Sequence, residues 1–161
     1  SILSQTYKNI EVILVNDGST DDSLVSCHTF SKEDDRVIVI DQPNQGLVSA
    51  RQVGLSVASG KYVLNVDGDD WISEDCVEYL LELALLHDAD VIIPAFFREF
   101  VGTHEIVKPD LEEGLYDEQL LVERVFPVMI SAPTPFRHGV TTYSWGKLFR
   151  KDLLHNFQKH L

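Results

Sequence analysis

Apolar and polar positions fall into short blocks along the chain. Ile10-Glu11-Val12-Ile13-Leu14-Val15 is a near-continuous apolar run of strand length, stopped by Asn16-Asp17-Gly18-Ser19. That is the profile of a buried strand ended by turn chemistry. Ser19 or Thr20 is expected to cap a following helix, with Asp21 and Asp22 in its first turn and Leu24, Val25 and Phe30 along it. Val37-Ile38-Val39-Ile40 predicts a second strand and Gln42-Pro43-Asn44-Gln45-Gly46 a loop. A small-residue helix is expected from Leu47 to about Ala58, with Gly60 at its C′ position. Tyr62-Val63-Leu64-Asn65-Val66 predicts a third strand running into Asp67-Gly68-Asp69-Asp70. A strongly apolar helix over 74–87 and a fourth strand at Val91-Ile92-Ile93 complete this half.

Strands alternating with helices argue for a parallel α/β sheet with right-handed crossovers. The second half is patterned differently. Residues 96–107 alternate around Gly102 like a hairpin, and 116–130 is helical, with Pro127, Pro133 and Pro135 in or after it. No repeat or linker interrupts the 161 residues. They read as one domain over 1–161.

The chain carries 13 Lys+Arg against 26 Asp+Glu, a formal net charge of −13. That balance argues against nucleic acid or an anionic membrane as a generic partner, since both need a positive field. Cys27 and Cys76 form no disulfide framework and no zinc pattern, and are expected to be buried thiols in a reducing cytoplasm. No apolar run reaches the roughly 20 residues of a membrane span. The chain opens Ser1-Ile2-Leu3-Ser4-Gln5, without a methionine and in what reads as the tail of a helix. A piece of a longer protein is expected.

In open parallel sheets, ligands bind beyond the carboxyl ends of the strands. Two strands here end in acids, Asp17 after the first and Asp67, Asp69 and Asp70 after the third. Clustered carboxylates repel, and the cluster calls for a cation or raised pKa values. Hard oxygens with no His or Cys beside them suit Mg²⁺ or Mn²⁺, which could bridge carboxylates to a diphosphate. The plainer alternative is that Asp17-Gly18-Ser19-Thr20 merely turns the chain and caps a helix. Asp70 could likewise cap the helix after Trp71.

These residues carry a resemblance. Ser-Gln-Thr-Tyr (4–7), Val-Asn-Asp-Gly-Ser-Thr-Asp (15–21), Asn-Gln-Gly-Leu with Ala-Arg (44–51), and Ser-Gly-Lys-Tyr (59–62) leading into Asp-Gly-Asp-Asp (67–70) resemble the nucleotide-binding half of a family-2 glycosyltransferase. Trp-Gly-Lys-Leu-Phe-Arg (145–150) is similar to a segment of many bacterial members. The resemblance implies a GT-A fold: a Rossmann-like, mixed but mostly parallel sheet flanked by helices, here lacking the first strand. Residues 1–95 would be the nucleotide-binding half and 96–161 an incomplete acceptor-side part. Asp17 would contact the nucleotide base, typically uracil, Asp67 the ribose or metal, and Asp69 would bind Mn²⁺ or Mg²⁺ at the diphosphate. Arg51 would lie near the nucleotide, its alternative being a salt bridge on a helix surface. Gly46 would let a tight loop approach the nucleotide, and Gln52, where the family usually has Asn, is given no role.

The implied chemistry is inverting transfer from a nucleoside-diphosphate sugar, UDP-linked, to a carbohydrate or lipid-linked acceptor. The implied setting is cytoplasmic, peripheral on the inner face of a bacterial membrane, in a surface-glycan pathway. The family's usual base segment, a Glu-Asp pair, would lie past Leu161, and no catalytic base is assigned. Asp110, Glu112, Glu113 and Asp117 read as a solvated acidic face. For His138 a place near the acceptor is the lesser reading, because loops carry function but mostly vary. Trp71 and Trp145 read first as core or interface residues, Trp71 being the better of the two for an edge of the site. Two rivals remain. One is a nucleotide- and metal-binding fragment that performs no transfer. The other is a metal-dependent phosphotransferase or phosphatase, disfavoured because the acids follow a third strand rather than the first.

Overall fold

The structure, a computed structural model, describes residues 1–109, 111–129 and 144–158. Asp110, Pro133, Pro135 and His138 lie outside the described residues. The chain divides into two compact units, 1–92 with 148–161, and 93–147.

In the first unit, β1 (Val12–Asp17) pairs in parallel with β2 (Val37–Gln42), Val12 opposite Val37 and Asp17 opposite Gln42. Between them runs α1 (Ser23–Glu33), which buries none of its residues and leaves Val25 and Phe30 exposed. It starts later than the sequence suggests, because Asp22 rather than Ser19 or Thr20 is the N-cap. The reason is local: the Asp21 carboxylate accepts from the Ser23 N–H at 3.0 Å, a bond that competes with an earlier helical turn. The opening residues form a turn and irregular chain rather than a helical tail.

The connection from β2 to β3 (Tyr62–Leu64) is α2 (Leu47–Val57), the helix that the periodicity predicts. However, β3 pairs with neither β1 nor β2 and belongs to a second sheet, so among the described residues the parallel ladder is β1–β2 alone. Gly54 is where α2 lies against β1. A Cβ there would make ordinary van der Waals contact with Val15 Cγ2 at 3.4 Å and Ile13 Cγ2 at 4.0 Å. Two carboxylates flanking β1 hold α2 at its two ends. Asp17 accepts from the Gln45 and Gly46 N–H groups at 2.9 and 2.8 Å ahead of the helix. Beyond its other end, Glu11 accepts from the Ser59 and Gly60 N–H groups at 2.7 and 2.8 Å and from Ser59 Oγ at 3.0 Å. Gly60 is therefore not the C′ glycine expected. The helix closes on Ala58 in extended conformation, and Gly60 serves as a donor to Glu11. Lys151 Nζ donates to the Ala58 carbonyl at 3.1 Å, a cation where the helix dipole is negative.

A second sheet has the order β3–β7–β4, with β4 at Val91–Ile92 and β7 at Leu148–Arg150. Both β3 and β4 are antiparallel to β7, so they run in the same direction with a reversed strand between them. The mixed sheet is as expected, but nothing in the apolar pattern predicts its reversed member. Helix α3 (Cys76–Leu86) covers this sheet. Cys76, Leu80 and Ala84, at i, i+4 and i+8, form one stripe, and Leu80, Ala84 and Leu148 are the buried centre, with Tyr62, Leu64 and Ile92 around it. Burying Leu80 contributes roughly 1.5–3 kcal/mol. Both cysteines are free and half-buried rather than fully buried, and burial, with the Asp75 charge, pushes the Cys76 thiol up.

Gln5 is the one fully buried polar side chain among the described residues, and it explains how α3 begins. Its Oε1 accepts from the Val77 N–H at 2.9 Å, one of the helix-start donors that lack an intrahelical partner. Its Nε2 donates to the Ser73 carbonyl at 2.6 Å. Thr6 adds a backbone bond to the Glu74 carbonyl at 2.8 Å and a hydroxyl bond to Glu78 at 2.6 Å.

In the second unit, β5 (Phe96–Phe100) and β6 (Thr103–Val107) form the expected hairpin, turning at Gly102 with φ +82°. The expected helix over 116–130 is present as α4 (Glu118–Leu120), a wider π-type turn at Leu121–Val125, and α5 (Phe126–Met129). Pro127 brings no N–H to bond the carbonyl of Glu123 four residues back, which lies inside the widened turn. Trp145 stacks edge-on against Phe96, ring centroids 5.0 Å apart.

Replacing Gln5 by Leu keeps the volume but strands the Val77 N–H and the Ser73 carbonyl. The expected cost is about 1–3 kcal/mol, read as a lower urea midpoint at unchanged slope. A midpoint within error of the parent would contradict this role.

Candidate functional site

Each acid that the sequence singles out has a distinct setting. Asp17 ends β1 opposite Gln42, and its Oδ1 accepts from Gln42 Nε2 at 2.7 Å as well as from the Gln45 N–H. One register step back, the buried Asn16 donates from Nδ2 to Asp41 at 2.7 Å. Two amide–carboxylate bonds thus cross the parallel ladder in opposite directions. The turn and cap alternative for Asp17 describes this geometry, except that the helix it serves is α2 rather than α1.

Gly18 and Gly46 make the loop possible. Gly18 has φ +70°, and a Cβ on it would lie 2.6 Å from the Asn44 nitrogen. Gly46, the residue before α2, has φ +86°. Both positions favour glycine on backbone grounds, and Gly18 on space as well.

Five residues along from Gly46, about 7–8 Å at helical rise, Arg51 reaches the acidic loop that follows β3. Its Nη2 donates to Asp67 Oδ1 at 2.7 Å, with the side chains 26% and 31% exposed. The pair joins helix to loop. One helix therefore links Asp17 to Asp67.

Within the loop, the Asp70 N–H closes a turn onto the Asp67 carbonyl at 3.0 Å. Asp69, Asp70 and Trp71 are exposed. The Asp70 carboxyl is pushed up, by partial burial first and then by the charges of Asp69 and Asp67, the mutual repulsion expected of such a cluster. Asp70 does not cap the next helix, because α3 starts later, with Asp75 as its N-cap. Among the described residues, no three His, Cys, Asp or Glu side chains gather into a complete metal cage. The oxygens of Asp67 and Asp69 suit a hard cation that takes one or two carboxylates from protein and the rest of its shell from phosphate and water.

The other candidates belong to the second unit. Asp117 caps α4, accepting from the Leu120 N–H at 2.9 Å, and Glu112 is exposed, 3.8 Å from Arg124. His104 packs edge-on against Phe97. Sequence reasoning misses Glu11, Gln42 and Gln5 as positioning residues. The one signal is Glu11 itself, the lone charge in an apolar run. Among the described residues, no helix is long and apolar enough to cross a membrane.

A mixed α/β domain with its acids gathered at the carboxyl ends of strands is a Rossmann-like, nucleotide-binding type of architecture. The family of this description is glycosyl transferase family 2, whose pattern matches residues 1–156, and the chain belongs to it, with the GT-A fold. Similar proteins include the glycosyltransferase GlyA of Streptococcus pneumoniae, 38% identical over 95% of this chain and 22% of its own length. The uncharacterized glycosyltransferase EpsJ of Bacillus subtilis is 40% identical over 95% of this chain and 43% of its own. Glycosyltransferase GlyG of Streptococcus pneumoniae is 46% identical over 60% of this chain and 33% of its own. The chain spans less than half the length of each of these relatives.

The Gln42 amide, then the Gln45 N–H and, against slight desolvation, the Gly46 N–H hold the Asp17 carboxyl below its ordinary value of 3.8. A carboxyl lowered in the folded state adds stability above the unfolded pKa, and that stability is lost as pH falls through the lowered value. Asp17→Asn should therefore flatten the acid side of the stability profile. The drop in urea midpoint between pH 6 and pH 3 should be smaller than in the parent protein, and an equal drop would contradict the assignment.

Proposed function

We propose that the protein containing this chain transfers a sugar from a nucleoside-diphosphate donor, UDP-linked, to a glycan or lipid-linked acceptor with inversion at the anomeric carbon. Family membership supports the glycosyltransferase class. The observation that carries the reading is the Arg51–Asp67 bond, which sets the acidic loop beside the helix whose start Asp17 holds.

In this reading Asp17 and the 42–46 loop receive the base end of the nucleotide, and the guanidinium of Arg51 lies toward the diphosphate. Asp67 and Asp69 would hold Mn²⁺ or Mg²⁺, which when bound supplies Lewis-acid stabilisation of the departing diphosphate. The acceptor hydroxyl oxygen forms a bond to the anomeric carbon as the bond from that carbon to the diphosphate oxygen breaks. The electron pair leaves with the nucleoside diphosphate. The acceptor proton passes to a base that we assign to no residue of this chain. Trp71, exposed beside the acids, borders the sugar. The relatives are bacterial, and the setting proposed with this activity is a surface-glycan pathway worked from the cytoplasmic face of the membrane.

Calorimetric titration of UDP tests this. Binding should tighten when Mn²⁺ is added, and the gain should vanish in Asp69→Asn. Metal-independent binding of UDP, GDP and CDP alike would overturn it. Release of inorganic phosphate without an acceptor would point to a phosphatase instead.

A further inference from the structure

Arg51 already occupies the carboxylate that a cation would need. Its Nη2 sits 2.7 Å from Asp67 Oδ1, at charge-assisted hydrogen-bond length, with both side chains about three-quarters shielded from solvent. The loop around Asp67 concentrates three acids within four residues, Asp67, Asp69 and Asp70, and carboxylates this close together repel. The guanidinium is the cation that offsets this charge while no other is present. A divalent ion at Asp67 would meet the guanidinium at close range, where two positive charges repel. Arg51 sits on α2, which is fixed at both ends by Asp17 and Glu11, so only its side chain can yield.

We propose that Arg51 is a place-holder for the metal at Asp67. It stabilises the acidic loop in the nucleotide-free protein, weakens metal binding in that state, and moves onto the diphosphate when donor and metal arrive together. Metal and nucleotide binding are thereby coupled: neither binds as well alone as with the other. This inference rests on the nucleotide–metal reading above.

The test is Mn²⁺ affinity of the intact protein without nucleotide, measured from the electron paramagnetic resonance signal of free Mn²⁺. UDP affinity at saturating Mn²⁺ is measured alongside. Arg51→Gln should bind Mn²⁺ roughly two- to fivefold tighter than the parent, the worth of one partly exposed ion pair removed from competition. It should also bind UDP more weakly. Arg51→Lys, a point charge without the planar fork, should shift both in the same directions by less, and it carries the test if Arg51→Gln does not fold. Mn²⁺ affinity unchanged or weaker in both variants, with binding still lost in Asp69→Asn, overturns the place-holder and leaves the metal reading standing. Tighter Mn²⁺ with undiminished UDP affinity overturns the transfer to the diphosphate. No Mn²⁺ binding by any form, with or without UDP, overturns the metal reading and this inference with it.

Discussion

Two carboxylates at opposite ends of one strand fix the helix on which the site depends. Asp17 holds the backbone before α2 and Glu11 holds the backbone after it. The lengths agree: six strand steps from Glu11 to Asp17 span about 20 Å, and eleven helical residues plus their end turns span about the same. Both acids work on N–H groups. At the start of α2 that also suits the helix dipole. At its end the dipole is met separately, by Lys151 on the Ala58 carbonyl. The Glu11 carboxyl is held down despite partial burial, which pushes it up, because the Gly60 and Ser59 bonds outweigh that effect. Helix α2 thus owes its position to polar contacts at its ends as much as to the face it lays against Val15 and Ile13.

From that fixed helix the site follows in one direction. Arg51 projects to Asp67 and pins the first residue of the acidic loop. The far end of the same loop is pinned by Gln5 on Ser73 and Val77 and by Thr6 on Glu74. The middle, Asp69 to Trp71, is exposed. A loop with anchored ends and a solvated centre can rearrange its central side chains without unfolding its neighbours. That is the behaviour a site needs if it is to take up a doubly charged ion and release a diphosphate in each turnover.

Periodicity makes most of the first unit legible. The apolar runs at 10–15, 37–40 and 62–66 contain strands, the first shifted to 12–17 and the third ending at 64, and the helices over 47–57 and 76–86 fall within a residue or two of their expected bounds. What escapes depends on distance along the chain. β7 is three residues long and pairs with strands far back in the sequence, and no local pattern announces such a partner. Gln5 looks like a surface residue, because nothing in 1–10 says that a helix beginning at 76 will bring its first turn there. Helix α1 shows the limit of cap rules, since Ser19, Thr20, Asp21 and Asp22 are all good caps and an Asp21 side-chain bond decides among them. For the site, the acids are legible as a cluster at strand ends. Their partners are not: Asp17 binds Gln42, set by the β1–β2 register, and the start of α2, while Asp67 binds Arg51, set by where α2 lies.

In the function proposed above, Asp17, Arg51 and the 67–70 loop form one nucleotide–metal site organised by α2. Paramagnetic broadening of backbone amide signals by Mn²⁺, with UDP present, tests it most directly. Signals of residues 67–70, Gln45, Gly46 and Arg51 should broaden together, and EDTA should restore them. Broadening confined to acids elsewhere, with residues 67–70 and the start of α2 untouched, would contradict it.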